Sequence, residues 1–589
     1  MGNKHVQGGE GVTQARYTAV FAKSGKVARV TLVCLVGLLA FLWWNGGHTF
    51  SPKHVGWVLS GFDTPSQFLA WEFFRNQPWW QWPLGANPAF GSDAPGTIVL
   101  ADTIPLLALF FKLLRAWLPA NFQYFGIWAC LCFILQTWFG YKLLGRFTGD
   151  FLLRLLGSAF FAIASVFLMR VYLHPALSGQ WIILAALYLG LDERPRCRAW
   201  CGLLWIAALV HAYLLVMSGS IWLACVIGRA WRSREQRVPL AWHAVFTIGS
   251  TTLIMWIVGY FVPSAVEPMP TRTYTNLLSP VLSGFCHGGE WSWVVPCSKL
   301  NLMNPTGDGF GYFGLGFLLL VPLAIFLCWR RPQPVALAQV RTLLWPLCMG
   351  ALLLLLYAIG NRIYVGNRLV FSFPLPGILE RLGSVFRGAA RLEWPAWYLA
   401  LILTLGVTVS RMSRRGAATV LTIALVFQCA DLSRAAVNIR HPIGTPWHGA
   451  HSLASPIWQE FGNRYRHLVF LQPSSVSPYL VGWIPDYKLM ALFAAHDGMS
   501  VNVAYLARID LKALATKRAW RASLLSSGAA EAKTFYVVED AQLWAKVLCA
   551  PEHDQWHGRI DGLPVLLPDA GGIHGLPEMQ GCPEKGAAS

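Results

Sequence analysis

Long apolar runs separated by short gaps rich in arginine and lysine constrain this chain more than any other feature. A run of about 20 apolar residues crosses a bilayer as a helix, because all of its backbone donors and acceptors are then satisfied internally. Candidate spans are 27–44, 124–142, 151–168, 181–191, 200–211, 213–227, 242–262, 312–329, 343–359, 394–409 and 420–430. The expected fold is mainly α, a polytopic transmembrane helical bundle of about eleven spans. Only 13% of the residues are charged, well under the roughly 25% of a soluble domain. The net charge of +19 is not spread like a nucleic-acid footprint. It sits in alternate gaps, which is the positive-inside pattern.

That alternation sets an expected orientation in a bacterial inner membrane. Residues 1–26 are read as a cytoplasmic segment without a signal-peptide cleavage site, and the first span as an uncleaved anchor. Inner loops then hold Lys142, Arg146 and Arg154; Arg194, Arg196 and Arg198; Arg229 to Arg237; Arg330, Arg331 and Arg341; and Arg411 to Arg415. The transmembrane domain runs over 27–431 and includes a first outer loop at 45–123. Residues 432–589 are expected to form a periplasmic α/β domain, with strand signals at His467–Leu471 and Thr534–Val538. The scheme requires 103–119, with Lys112 and Arg115, to be interfacial or re-entrant. If it crossed, every later loop would change sides, and that alternative stays open.

Cysteine placement follows the same scheme. Of the 13 cysteines, Cys286 and Cys297 share one outer loop, and Cys549 and Cys582 lie in the tail. Two pairs in an oxidising compartment predict two disulfides.

Polar residues suited to chemistry collect on the expected outer side. The first outer loop carries Asp63, Asp102, Arg75 and the exposed-belt candidates Trp79, Trp80 and Trp82. A carboxylate there can take a proton from a hydroxyl, and indole rings suit the boundary of lipid, sugar and water. An ordered loop with an aromatic belt is the plainer reading. His174 lies in a later outer loop, and His211, at the tip of a tight helical hairpin, reads as structural. Arg387 and Arg391, four apart, break the positive-inside rule. They fit either a lipid phosphate or pairing with Glu380 and Glu393. No P-loop, Gly-x-Ser-x-Gly elbow, Asp-x-Asp pair or His-Glu-x-x-His is present. Nucleotide hydrolysis and acyl transfer are therefore not indicated, and neither a metal nor another cofactor is expected.

Several segments resemble an uncharacterised bacterial family of multi-spanning membrane proteins. These are Asp63 to Arg75, Pro78-Trp-Trp-Gln-Trp-Pro-Leu-Gly85, Ala101 to Ala108, Gln123-Tyr-Phe-Gly126, the His174 loop, Phe310 to Gly316 and Phe386 to Pro395. The likeness runs from about residue 30 into the tail. Two motifs depart from the family pattern: Gln180 stands where a second histidine is usual, and Gly388-Ala389-Ala390 where Ala-Ser-Gly is usual. The family is in turn similar to GT-C membrane glycosyltransferases, which take a sugar from a polyprenyl phosphate and use an acid in the first outer loop. That similarity implies a transferase acting on a glycan acceptor. Asp63 would be the general base and Asp102 its support. His174, Arg75, Arg387 and Arg391 would bind substrate, and Trp79, Trp80 and Trp82 would face sugar rings. The alternative is a transporter or flippase of a lipid-linked glycan.

Overall fold

The computed structural model describes residues 8–61, 63–262, 273–281, 291–295, 308–330, 335–366, 368–444, 447, 451–476, 478–551 and 555–583. Every apolar run expected to span is helical. Among the described residues seven helices are long and apolar enough to cross, and the bent pair Phe151–Ala162 and Ser165–Val171, kinked by 49°, makes an eighth. Pro175–Gly190, Cys197–Val210 and Leu315–Arg330 are shorter apolar helices. Segment 103–119 holds only the nine-residue helix Pro105–Leu113 and a 3-10 turn. Nine residues rise about 14 Å, less than half of the hydrocarbon thickness.

The long helices leave large apolar side chains uncovered, as lipid-facing surfaces do. On Arg237–Val258, Trp242, Val245, Phe246 and Ile248 are all exposed. The inner face packs as an aromatic-rich core around Trp44, Trp57, Trp71, Trp128, Tyr124 and Tyr398. Close approach uses small residues. A Cβ on Gly37 would lie 2.8 Å from the Phe133 carbonyl oxygen, so glycine lets the first helix, Gly8–Asn45, seat against Phe125–Leu144.

Two short antiparallel pairs decorate the bundle: β1 (Ala86–Asn87) with β2 (Gly96–Thr97), and β3 (Arg362–Val365) with β4 (Arg368–Ser372). The C-terminal domain is a five-stranded sheet of β5 (His467–Leu471), β6 (Ser500–Val501), β7 (Thr534–Val538), β8 (Gln555–Ile560) and β9 (Leu563–Pro568). Its order is β6-β5-β7-β9-β8. β5 pairs in parallel with β6 and β7, and β9 runs antiparallel to β7 and β8. The two-residue turn between β8 and β9 holds Asp561 at φ 48° and Gly562 at φ 86°, the left-handed pair that a tight hairpin demands. Cys549 and Cys582 are disulfide-bonded in this domain, whereas Cys286 and Cys297 lie outside the described residues.

The domain is fastened to the loop that follows the first span. Residues 89–93 continue its sheet beyond β6. Val501 N–H donates to the Ala89 carbonyl at 2.9 Å, and Gly91 and Ser92 donate back to Val501 at 3.0 and 2.8 Å. Lys488 Nζ donates to the Leu59 carbonyl at 3.1 Å, Asn76 Nδ2 donates to the Ala495 carbonyl at 2.9 Å, and Arg521 pairs with Asp93.

Candidate functional site

Asp63 precedes the helix Thr64–Asn76, where Pro65 sits at a position that needs no N–H. An aspartate there ordinarily caps the helix. This one makes no side-chain capping bond. Its carboxylate instead lines a cavity of 10 Å³ with Gln67, Leu100, Ala101, Asp102, His174 and Tyr505, about the room one water or one hydroxyl needs. Burial pushes the Asp63 carboxyl above its usual range; His174 and Arg391 oppose the rise, and Asp308 and Asp102 add to it.

Asp102 reaches the same cavity from a tight loop. It adopts φ 53° and Ile104 adopts φ 55°. Aspartate tolerates that region, but a β-branched residue rarely enters it. The loop is held there by Thr103, whose hydroxyl donates to the Ile98 carbonyl at 3.0 Å and whose carbonyl accepts from the Tyr124 hydroxyl.

Two histidines meet Asp102. His174 Nε2 lies 3.3 Å from Oδ2, and His211 Nε2 lies 3.2 Å from Oδ1. The kink between Ala162 and Ser165 sends the next helix, Ser165–Leu173, toward the site, and His174 stands at its end. His211 is the single extended residue between Cys197–Val210 and Ala212–Arg232. Its expected structural role is corrected here: besides capping a helix, its ring sits on a site carboxylate. Burial alone would raise Asp102. The two imidazoles beside it, His211 first, outweigh burial and hold that carboxyl below its usual range.

The carboxylate oxygen and two ring nitrogens lie within 4.8 Å of one another, a spacing that a metal ion could bridge. Each ring has a separate neighbour at its Nδ1. His211 Nδ1 accepts from the Tyr213 backbone N–H at 3.1 Å. A neutral ring that accepts at Nδ1 carries its proton on Nε2, whereas a metal-bound imidazole donates from its other nitrogen. The Gln67 amide Nε2 lies 3.3 Å from His174 Nδ1, with the donor set by the imidazole tautomer. His211 Nε2 is buried and makes no hydrogen bond among the described residues, although it lies 3.2 Å from Asp102 Oδ1.

A second cluster adjoins the cavity. Asp308 Oδ1 accepts from Arg391 Nε at 2.8 Å and from an Arg170 terminal nitrogen at 3.0 Å. All three side chains are largely buried. Two guanidiniums share one carboxylate. Arg391 therefore pairs with a carboxylate, but not with Glu380 or Glu393; Glu393 accepts from Thr275 instead. The Arg391 guanidinium lies 5.0 Å over the Tyr213 ring, and the Tyr213 hydroxyl accepts from Gly388 N–H at 2.7 Å. The Arg387 carbonyl accepts from Thr273 N–H at 2.9 Å.

The remaining candidates lie elsewhere. Arg75 is buried and donates to Ala120 and Pro119 carbonyls at 2.8 and 3.0 Å, with Glu72 at 3.4 Å. It ties the loop to its helix. Burial, offset in part by Arg75, raises Glu72 to about 8. Trp79 stacks under Arg115, Trp82 packs edge-on against Trp256 and Trp80 is 91% exposed. None of the three lines the cavity. Sequence reasoning passed over Gln67, Arg170, Asp308 and Tyr505. Arg170 adjoins an apolar run, and an ionisable group at membrane depth is by default a functional candidate. That signal was available.

Comparisons with known proteins place this architecture. Residues 34–433 match the family model for a domain of unknown function, DUF6311, and residues 457–568 match the model for the DUF6311 C-terminal domain. No curated protein matches the chain. Among solved structures, the apo oligosaccharyltransferase of Archaeoglobus fulgidus matches with a TM-score of 0.32 and 12% identity, over 81% of this chain and 64% of that one. A likeness that distant says nothing about chemistry.

Proposed function

This chain belongs to the DUF6311 family, and we propose that it is a membrane glycosyltransferase of GT-C type. In this reading it moves a sugar from a polyprenyl-phosphate donor to a glycan acceptor on the side that bears the C-terminal domain, outside the bacterial inner membrane. The observation that carries the reading is a pair of carboxyls on one cavity whose environments push them apart: Asp102 is held ionised and Asp63 is raised. Such divergence marks the division of labour between a base and its electrostatic support.

The chemistry follows atom by atom. The acceptor oxygen bonds to the sugar's anomeric carbon while the bond from that carbon to the phosphate oxygen breaks. Asp63 takes the acceptor proton. The departing lipid phosphate gains one negative charge. Arg391 and Arg170, which share Asp308, meet it with guanidiniums already oriented. Arg387, four residues before Arg391 in the same loop, is assigned a second phosphate contact in this reading. Asp102 fixes the His174 ring, which faces the cavity. No step requires a metal, because Asp63 is the base and the arginines neutralise the leaving group.

The test is release of label from radiolabelled undecaprenyl-phosphate hexoses by purified protein, wild type against Arg391→Lys. Replacing the planar fork with a point charge should weaken leaving-group stabilisation and slow release by about tenfold or more. No release by wild type from any donor in the panel would refute the transferase reading.

A further inference from the structure

Six of the seven side chains lining the cavity belong to the transmembrane region; the seventh, Tyr505, belongs to the C-terminal domain. It is carried on the irregular stretch after β6, pinned at both ends to the first loop. At one end Asp93 N–H donates to the Asn502 carbonyl at 3.0 Å, and at the other Ala507 N–H donates to the Leu100 carbonyl at 2.7 Å. Two glycines lie in close contact at the facing surfaces. A Cβ on Gly96 would fall 2.6 Å from Leu506 Cδ1, and one on Gly482 would fall 2.4 Å from Ser66 Oγ and 3.3 Å from Tyr505 Cβ. Tyr505 is half-buried. Its phenol is pushed up first by the charge of Asp63 and then by burial.

The walls of this cavity suggest what enters it. The cavity has room for a single hydroxyl, and Tyr505, half-buried, carries its wall outward, so the rest of an acceptor lies outside the cavity along Tyr505. An aromatic face beside carboxylates suits a sugar ring, whose C–H face packs on the ring while its hydroxyls donate to the oxygens. An amide nitrogen fits poorly. Its lone pair is delocalised into the carbonyl, and one carboxylate that accepts a proton does not restore it. A hydroxyl needs only that proton removed.

We infer that Tyr505 is the acceptor-binding residue of this site and that the acceptor is a saccharide hydroxyl, delivered beneath the C-terminal domain. This rests on the transferase reading above. In the transfer step the hydroxyl proton passes to Asp63, the acceptor oxygen bonds to the anomeric carbon and the lipid phosphate leaves toward Arg391.

The experiment uses the full chain in lipid nanodiscs and has two arms. Saturation-transfer NMR with methyl hexopyranosides and with N-acetyl-asparagine amide reads acceptor contact without any donor. Label transfer from undecaprenyl-phosphate hexoses reads transfer to glycoside separately from hydrolysis to water. Wild type should contact a glycoside and not the amide. Tyr505→Ala should raise the glycoside KM by about 3–10-fold with a smaller effect on kcat, and Tyr505→Phe, which keeps the ring, should retain most of the binding. Preference for the amide overturns the inference. So does a Tyr505→Ala variant that loses transfer and hydrolysis together at constant glycoside KM, since that pattern is structural. Glycoside contact with no donor turnover in wild type would refute the transferase reading while the saccharide site stands.

Discussion

Replacing Asp63 with asparagine separates chemistry from folding, because the structure gives the two effects opposite signs. Asparagine preserves shape but cannot take a proton. Loss of general-base help costs roughly 10²–10⁴-fold in rate, equivalent to about 2.7–5.4 kcal/mol of barrier. A capping aspartate would also lose about 1 kcal/mol of stability on removal, yet Asp63 makes no capping bond. Its carboxyl is raised by burial, so ionisation costs folding free energy. For a group whose folded value lies above its unfolded one through desolvation, stability falls as pH rises from 3.8 through the folded value. Asp63→Asn removes that loss and should unfold no earlier than wild type at neutral pH. The assay pairs transfer rate with thermal unfolding in the same nanodiscs, from pH 4 to 9. Wild-type activity should fall on the acid side as Asp63 protonates. Full activity in the variant would remove Asp63 from the mechanism and leave Asp102 as the next candidate; normal turnover with a lowered melting temperature would restore the capping role.

Other expectations follow from the same contacts. Asp308→Asn leaves Arg170 and Arg391 without their shared counter-charge and should destabilise the chain by about 3–5 kcal/mol, read as a lowered melting temperature; an unchanged value would mean that water already screens the cluster. Removing the Cys549–Cys582 bond, which closes a 33-residue separation, should cost about 3–4 kcal/mol, visible as earlier denaturant unfolding of the Cys→Ser pair. Reporter fusions after Arg237 and after Asp431 should report the cytoplasmic and outer sides respectively; the same signal from both would overturn the orientation.

The spans were legible because apolar length is a one-dimensional property. Each of the eleven runs holds a helix, and among the described residues seven helices, or eight with the bent pair, are long and apolar enough to cross. The strands His467–Leu471 and Thr534–Val538 were legible for the same reason: each is a short β-branched and aromatic run with turn signals around it. The site was only half legible. Asp63, Asp102 and His174 stood out as polar residues in loops of an apolar chain. The partner of Arg391 did not, because Asp308 is 83 residues away in sequence and only packing brings the two together. Arg75 and the tryptophans misled for the opposite reason. Their residue types suit sugars and phosphates, but Arg75 is spent on local carbonyls and the indoles on neighbouring rings and solvent. His211 was undervalued because a joint between helices gives a histidine a structural use that conceals a second one.

The link between the first loop and the sheet has a consequence for synthesis. Asp93 and Arg521 are 428 residues apart. A ribosome adding roughly 5–20 residues per second needs on the order of 20–90 s to cover that interval. Throughout it, residues 89–93 have no strand beside them, and the cavity has no wall on its Tyr505 side. The transmembrane helices can insert and pack while the site is still open. Turnover can begin only after the C-terminal sheet folds and docks, so a chain interrupted before Tyr505 would hold both carboxylates and both arginines and still lack the acceptor wall.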